Sequence, residues 1–402
     1  MSKNNTLSAA KSAKNDEFYT QYNDIQKEIN AYLDYDPDTF RGKTVLLPCD
    51  DPEWSKFTRF FAENFERLGL KKLISTSYAA ASKKFFNAEA HRRGDGRAGA
   101  PRTPSWYQPT LFEQESPQFD EKKTAVRGKI FVLDHDTNMN GRIDFEDLEW
   151  EYLKGDGDFR SEEVCRLRDE SDVIVTNPPF SMFREFLTWI VGGGVATKNT
   201  MITKRFLIIG NMNAITYKEV FPLIMGNKLW LGNGFSHGNA YFRIAEGSRN
   251  EYADGVYDPM TNLVKFRNVA WFTNLEHGRR HQPLQLMTMA QNIKHSKHKE
   301  VRGIGYRRYD NYDAIEVPFT DAIPSDYDGV MGVPISFLDK YCPEQFELLG
   351  ITDRGNEYGI KIREYTENDT PKYGDLNRRG AILIDGELHS TYARILIRQR
   401  YE

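Results

Sequence analysis

The chain has 402 residues, 39% of them hydrophobic, with 54 Lys and Arg against 58 Asp and Glu and a formal net charge of -4. That length predicts two domains whose core needs no disulfide or metal staple. Cys49, Cys165 and Cys342 have neither the even count nor the close spacing of a disulfide framework or zinc site, which points to a reducing cytoplasm. No apolar leader and no run of 18 apolar residues occurs, so neither a secretory nor a membrane-spanning segment is expected, and the mild charge argues against indiscriminate coating of nucleic acid.

In chain order, residues 1–15 read as a disordered tail. Tyr22, Ile25, Ile29 and Leu33 then recur at helical spacing. "KTVLLP" (43–48) reads as a strand and "SKFTRFFAENFERLG" (55–69) as a helix capped by Ser55 and stopped by Gly69. "KKLISTSY" (71–78) is the next strand, so the three elements form a βαβ unit. Residues 79–124, rich in Gly, Pro and charge, read as an insertion. "GKIFVL" (128–133) resumes the sheet, and "DVIVT" (172–176), the helix "SMFREFLTWI" and the strand "RFLIIGN" (205–211) extend it. The expected fold of residues 16–230 is a three-layer α/β domain with a mostly parallel sheet. Residues 231–402 have shorter, aromatic strands that suit a mixed α+β recognition region and could return strands to the first sheet.

The segment Asp136–Asp147, "DTNMNGRIDFED", matches a calcium loop at Asp136, Asn138, Asn140 and Gly141 but ends on Asp147 where Glu is usual. A strand rather than a helix precedes it. A polar turn leading into a helix over "FEDLEWEYL" is the better account, and no metal site is assigned.

One segment carries chemistry. In "SDVIVTNPPFSMFREFLTWI" an apolar strand ends on Asn177, Pro178, Pro179 and Phe180 and leads straight into a helix. In an open parallel sheet this is the carboxyl edge, where ligands bind. Each proline restricts the residue before it to extended geometry, so Asn177 and Pro178 form a stiff ledge presenting a side-chain oxygen and a carbonyl as acceptors. Phe180 adds a flat apolar face. An exocyclic amine on a flat ring suits these groups; the alternative is a strand stop with Phe180 in the core.

"DVIVTNPPF" resembles the catalytic motif of S-adenosylmethionine-dependent amino-methyltransferases, in the asparagine form typical of N6-adenine methylases. The blocks "NDEFYTQYNDIQKEI" (15–29), "LLPCDDPEWSKFTRFFAENFERLGLKKLISTSY" (46–78), "YLKGDGDFRSEE" (152–163), "FLIIGNMNAITYKEVFPLI" (206–224), "WFTNLEHGRR" (271–280) and "YDGVMGVPISFLDKY" (327–341) resemble, in order, the EcoRI-type adenine-specific DNA methylases. The resemblance implies a Rossmann-like class I methyltransferase fold and transfer of a methyl group from S-adenosylmethionine to a flipped adenine N6 in double-stranded DNA, with Asn177 and Pro178 orienting the amine and Phe180 stacking on the base. It further implies a monomer without membrane attachment, acting in the cytoplasm at the nucleoid, with or without a separate cognate restriction endonuclease.

The cofactor side lacks the usual Gly-rich loop. The resemblance assigns it to Phe18, Tyr19 and Thr20, to Cys49, Asp50 and Asp51 at the exit of the first strand, and to Asp156, Asp158 and Phe159 in "GDGDF". An Asx turn capping the following helix is the alternative for Asp50 and Asp51. Between Arg279 and Arg308 lie Arg279, Arg280, Lys294, Lys297, Lys299, Arg302, Arg307 and Arg308 against a single acidic residue, Glu300. Such a tract is expected to contact the DNA backbone, unless it is only a solvated basic face. The stretch 83–102 is a second basic candidate. Two other readings stay open: an RNA or protein amine methyltransferase of the same fold, and a catalytically silent DNA-binding protein.

Overall fold

The computed structural model describes residues 18–50, 55–79, 116–192, 199, 201–235, 239–244, 255–353 and 355–400. Asp51, the tail 1–15, the basic stretch 83–102 and most of the expected insertion lie outside the described residues. The chain divides into two compact units. The first comprises residues 1–195, 201–211 and 231–276, and the second residues 196–200, 212–230 and 277–402. Residues 231–276, which the sequence reading put in the second region, thus belong to the first unit.

The first unit begins with β1 (Phe18–Thr20) and α1 (Tyr22–Tyr35). β2 (Thr44–Leu47), α2 (Lys56–Glu63), α3 (Phe65–Leu68) and β3 (Lys72–Ser77) make the βαβ unit. Ser55 caps α2 by accepting from the Phe57 N–H, and Gly69 ends α3 with φ 62°, where a side chain would be strained. The single helix expected over 55–69 is broken at Asn64, whose Nδ2 donates to the Phe60 carbonyl. Then come α4 (Glu121–Val126), β4 (Lys129–Leu133), β5 (Glu149–Tyr152), α5 (Glu162–Glu170), β6 (Val173–Thr176), α6 (Phe183–Ile190) and β7 (Arg205–Asn211).

A short helix of the second unit, α7 (Phe221–Met225), precedes β8 (Trp230–Leu231). β9 (Ala240–Ile244), β10 (Tyr257–Asp258), β11 (Leu263–Phe266) and β12 (Val269–Thr273) complete the first unit.

The large sheet has the order β5-β4-β3-β2-β6-β7-β12-β8. β3, β2, β6 and β7 run parallel to one another; β4, β5 and β12 join antiparallel, so the mostly parallel sheet expected from sequence is in fact mixed. Burial explains the difference. β2 and β6 are buried at every position, as parallel strands covered on both faces must be, whereas β4 alternates buried and half-buried residues like a one-faced antiparallel strand. Between β2 and β6 the strand order reverses, because the chain leaves β2 toward β3 and later returns to β6 on its other side. Open sheets bind ligands at the carboxyl end of such a switch point.

The helix expected over "FEDLEWEYL" is another correction. Phe145–Asp147 form one 3-10 turn and residues 149–152 are β5, with Trp150 buried between exposed Glu149 and Glu151. That alternation has a period of two, and the Trp150 ring packs edge-on against Tyr152 at 5.2 Å. Asp147 organises the preceding loop, its carboxylate accepting from the N–H groups of Thr137, Asn138 and Asp144. Among the described residues no cluster of three or more His, Cys, Asp or Glu could hold a metal ion. No helix of the described residues is long and apolar enough to cross a membrane.

A second, four-stranded sheet of the first unit, β1-β9-β11-β10, pairs Tyr19 with Arg243 and Val264 with Phe242.

The second unit contains α8 (Met289–His295), β13 (Ile315–Glu316), β14 (Met331–Pro334), β15 (Phe346–Ile351), α9 (Tyr373–Leu376), the hairpin β16 (Ala381–Ile384) and β17 (Glu387–Ser390), and β18 (Arg394–Gln399). Its sheet has the order β13-β14-β18-β15 and is held by a buried ion pair in which Arg394 grips Glu316 at 2.6 Å.

Candidate active site at the carboxyl edge of the parallel strands

β2 exits through Pro48 into Cys49, which adopts a left-handed conformation with φ 67°, and then Asp50, which is only 5% exposed. The turn lies beside the end of β6. Thr176, the last residue of β6, brings its Oγ1 within 2.7 Å of the Pro48 carbonyl and 2.5 Å of Asp50 Oδ2. The other carboxylate oxygen of Asp50 accepts from Ser55 Oγ at 2.6 Å, and Ser75 of β3 donates to the Asp50 carbonyl. Asp50 therefore joins three consecutive strands of the sheet to the start of α2. A carboxylate offers about four acceptor positions, so these two hydroxyls do not exhaust it.

At the exit of β3 sits the "GDGDF" loop. The Ala79 N–H donates to the Asp156 carbonyl, and Gly157 lies so close that a Cβ there would fall 2.3 Å from the Ser77 carbonyl oxygen. Only glycine permits this approach. It leaves Asp156 and Asp158 half-buried, with Tyr78 near both Asp158 and Cys49 of the β2 turn. Burial raises the Asp158 carboxyl, but the hydrogen bond and charge of Arg160, 2.6 Å away, outweigh it and hold the group below its ordinary value. Burial, reinforced by Cys49 and Asp158, pushes the Tyr78 hydroxyl far upward, so it stays protonated and a donor.

Phe159 has a different place from the one expected of a cofactor contact. Its ring is 1% exposed and packs against Phe186 and Trp189 at 5.1 and 5.5 Å, under α6. Aromatic bulk at this position fills the core beneath the edge.

Asn177, Pro179 and Phe180 are half-buried and Pro178 is buried. Pro179 is extended, with φ -51° and ψ 128°, and its carbonyl accepts from the Met182 N–H, starting the turn that leads into α6. Phe180 meets Phe242 of β9 and Phe266 of β11 edge-on at 6.2 and 6.0 Å. The small sheet that supports this ring also contains Tyr19 and Thr20 of β1. Thr20 Oγ1 is buried and makes no hydrogen bond among the described residues. The backbone of Phe18 pairs with Ile244 in the same sheet.

The basic tract, in the second unit, divides by environment. Arg280 is 5% exposed, its guanidinium 3.8 Å from the Trp230 ring centre and donating to Asn227, so it serves the core and the expectation of a DNA contact is corrected. Arg279, Lys297 and Arg308 reach Asp339, Asp321 and Asp313 at 2.5, 2.6 and 2.5 Å. Arg307 is exposed and donates to the Leu383 carbonyl. Lys294, Lys299 and Arg302 are exposed with no acidic partner within 4 Å among the described residues.

Thr176 and Ser75, which tie the edge together, and Thr58, whose Oγ1 lies 2.9 Å from Ser75 Oγ, were not marked by sequence reasoning, and Ser55 was marked only as a helix cap. The available signal was hydroxyl residues at the ends of otherwise apolar strands. Phe242 and Phe266 had none, because only folding brings them to Phe180.

A family model described as adenine-specific methyltransferase EcoRI matches residues 6–400. The chain is 38% identical over 360 residues to the type II methyltransferase M.EcoRI of Escherichia coli, covering 89% of this chain and 93% of that protein. It is 30% identical over 404 residues to the type II methyltransferase M.MpnI of Mycoplasma pneumoniae, covering 97% of each. It is also 30% identical over 349 residues to M.MgeORF184P of Mycoplasma genitalium, covering 85% of this chain and 84% of that protein. No solved structure matches.

Proposed function

Since this chain belongs to the EcoRI family of adenine-specific methyltransferases, we propose that its carboxyl-edge site transfers a methyl group from S-adenosylmethionine to adenine N6 in duplex DNA. The chain is a site-specific DNA adenine methyltransferase of the type II class its relatives represent. The residue roles and the Rossmann-like reading of the sheet are the proposed part. The observation that carries them is the bond from Thr176 to Asp50, which seats the Asn177–Phe180 ledge beside the β2 turn across the switch point.

The donor set fits the cofactor. Carboxylates of Asp156 and Asp158 at the β3 exit suit hydroxyl and amine groups, the Cys49–Asp50 turn suits an ammonium, and the buried Thr20 Oγ1 is an acceptor and donor awaiting a partner. Tyr19 and Thr20 would close over it from β1. When bound, S-adenosylmethionine supplies an electrophilic methyl group on sulfur.

The protein's part is placement. Asn177 Oδ1 and the Pro178 carbonyl accept the two N6 hydrogens, which directs the nitrogen lone pair outward along the transfer axis. Phe180 stacks on the ring, and its own support by Phe242 and Phe266 keeps that face in register. Adenine reaches such a ledge only by leaving the helix stack, so base flipping belongs to the mechanism. The reacting amine loses its proton after transfer, and no strong base is demanded of the chain; orientation and exclusion of water carry the rate. The same reading has a cytoplasmic monomer acting on DNA, with any cognate endonuclease a separate protein.

The test is methyl transfer from labelled S-adenosylmethionine to duplex DNA, RNA and peptide side by side, with modification-sensitive sequencing of the DNA. N6-methyladenine at one sequence in duplex DNA is expected. Label only in RNA or peptide would overturn the reading.

A further inference from the structure

Within the second unit, residues 282–287 form a run outside helix and sheet that is pinned at both ends. Gln345 holds Leu284 by two bonds at once, its Oε1 accepting from the Leu284 N–H at 2.7 Å and its Nε2 donating to the Leu284 carbonyl at 3.0 Å. Three residues on, the Met287 carbonyl accepts from the Ser325 N–H. The run then enters α8 through a reciprocal cap between Thr288 and Gln291, with the Met289 N–H bound to Asp326. Pro283 also restricts Gln282 to the extended geometry it shows, with φ -95° and ψ 111°.

These bonds hold backbone, and they leave two carboxamides outside. Gln282 and Gln285 are exposed, and their side chains make no hydrogen bond among the described residues. Both line a concavity of about 300 Å³ together with Arg279 and Lys340. Asp321, the acidic group at its wall, is paired with Lys297 at 2.6 Å, as Arg279 is with Asp339 at 2.5 Å, which leaves Lys340 as the charge in excess. A concave, net cationic surface presenting amides on a fixed backbone is poorly explained by folding, because nothing among the described residues of the second unit uses those amides.

We propose that Gln282 and Gln285 read base edges in the major groove of the target DNA, on a loop made rigid in advance by Gln345. A carboxamide matches the adenine N6 and N7 pattern with two bonds, and preorganised donors discriminate where mobile ones do not. Three residues of extended chain span at most about 10 Å, which is roughly three base-pair steps of 3.4 Å. The two amides therefore serve positions two or three base pairs apart. This assignment rests on the DNA reading above.

The test compares the wild type with the full-length variants Gln282→Ala, Gln285→Ala and the double substitution. Both residues are exposed, and thermal melting would verify that the fold is kept. Modification-sensitive sequencing should show methylation spreading to sites that differ from the target at one or two positions. The ratio of kcat/KM for target over near-target duplex should drop about 10- to 100-fold, the range a lost two-bond base contact gives. Affinity for unrelated duplex DNA and its salt dependence should stay as they were. Gln345→Ala, which leaves both amides in place but frees the loop, should also lower the ratio. An unchanged ratio in the double variant overturns the proposal, and an unchanged ratio in Gln345→Ala overturns the preorganised loop. If the wild type itself fails to methylate adenine in DNA, the failure belongs to the functional reading instead.

Discussion

Thr176 Oγ1 lies 2.5 Å from Asp50 Oδ2, although the two residues are 126 positions apart. The bond ties the residue just before Asn177 to the turn that leaves β2, so the ledge and the turn move as one body. Thr176→Val keeps the shape and removes the hydroxyl. It should lower the single-turnover methylation rate at least about tenfold, since small misplacements at a reacting centre cost one to two orders of magnitude. Thr176→Ser should restore most of it. Equal rates for all three proteins would show that the tie has no positioning role.

Asn177→Ala removes one of the two acceptors proposed for the amine. Loss of a preorganised contact of this kind costs about 100- to 1,000-fold in kcat. Cofactor affinity, measured by calorimetry, should hold, because the carboxylates proposed for the cofactor, Asp50, Asp156 and Asp158, belong to other segments of the chain. Near-normal turnover would refute the role given to Asn177.

Glu28 on α1 is fully buried and accepts from the N–H groups of Asn233 and Gly234 at 2.8 and 3.0 Å and from the Tyr32 hydroxyl at 2.6 Å. The loop it holds carries Phe235, which stacks on Trp271 at 5.3 Å and contacts Phe242, the ring behind Phe180. Glu28→Ala leaves donors without an acceptor, each costing about 1–3 kcal/mol. Thermal denaturation should record a lower Tm, and Glu28→Gln should lose less.

The basic tract should separate into two behaviours. Arg280→Ala, which empties the space over Trp230, should lower Tm. Lys299→Ala and Arg302→Ala should leave Tm alone and reduce the slope of log affinity against log salt for DNA by about one each. A reduced slope without loss of stability in Arg280→Ala would return that residue to the DNA surface.

Acid should unfold the first unit partly through Asp147. Burial raises this carboxyl, and N–H groups of Asp144, Asn138 and Thr137 more than compensate, leaving it below the ordinary value of 3.8. A depressed carboxyl contributes stability that is present above that value and lost as pH falls through the lowered one. The stability gap between the wild type and Asp147→Ala, from urea unfolding, should therefore be widest near neutrality and shrink below about pH 4. A gap independent of pH would show that the loop does not depend on the charge. Asp158, whose partner Arg160 is more than half exposed, should add little.

Much of the architecture was legible because local rules and tertiary outcome agreed. Ser55 and Gly69 marked helix ends, and the apolar runs at 44–47 and 173–176 marked strands buried on both faces. Where they disagreed, length and acidity misled: "FEDLEWEYL" has the composition of a helix, yet the alternation of Trp150 and Tyr152 with Glu149 and Glu151 suits a strand that covers one face. Asp51 and the 83–102 stretch lie outside the described residues, so the turn after β2 is seen only as far as Asp50.

By itself the sequence marked the candidate ledge Asn177–Phe180, because each proline restricts the residue immediately before it and needs no distant partner. It also determined the family, through ordered blocks along nearly the whole chain. Tertiary structure alone decided what surrounds the motif. Thr176 finds Asp50, Phe180 finds Phe242 and Phe266, and Arg280 leaves the basic tract for Trp230, 50 positions earlier. Each of these depends on burial by strands or loops far away in the chain, and burial is a property that no local spacing encodes.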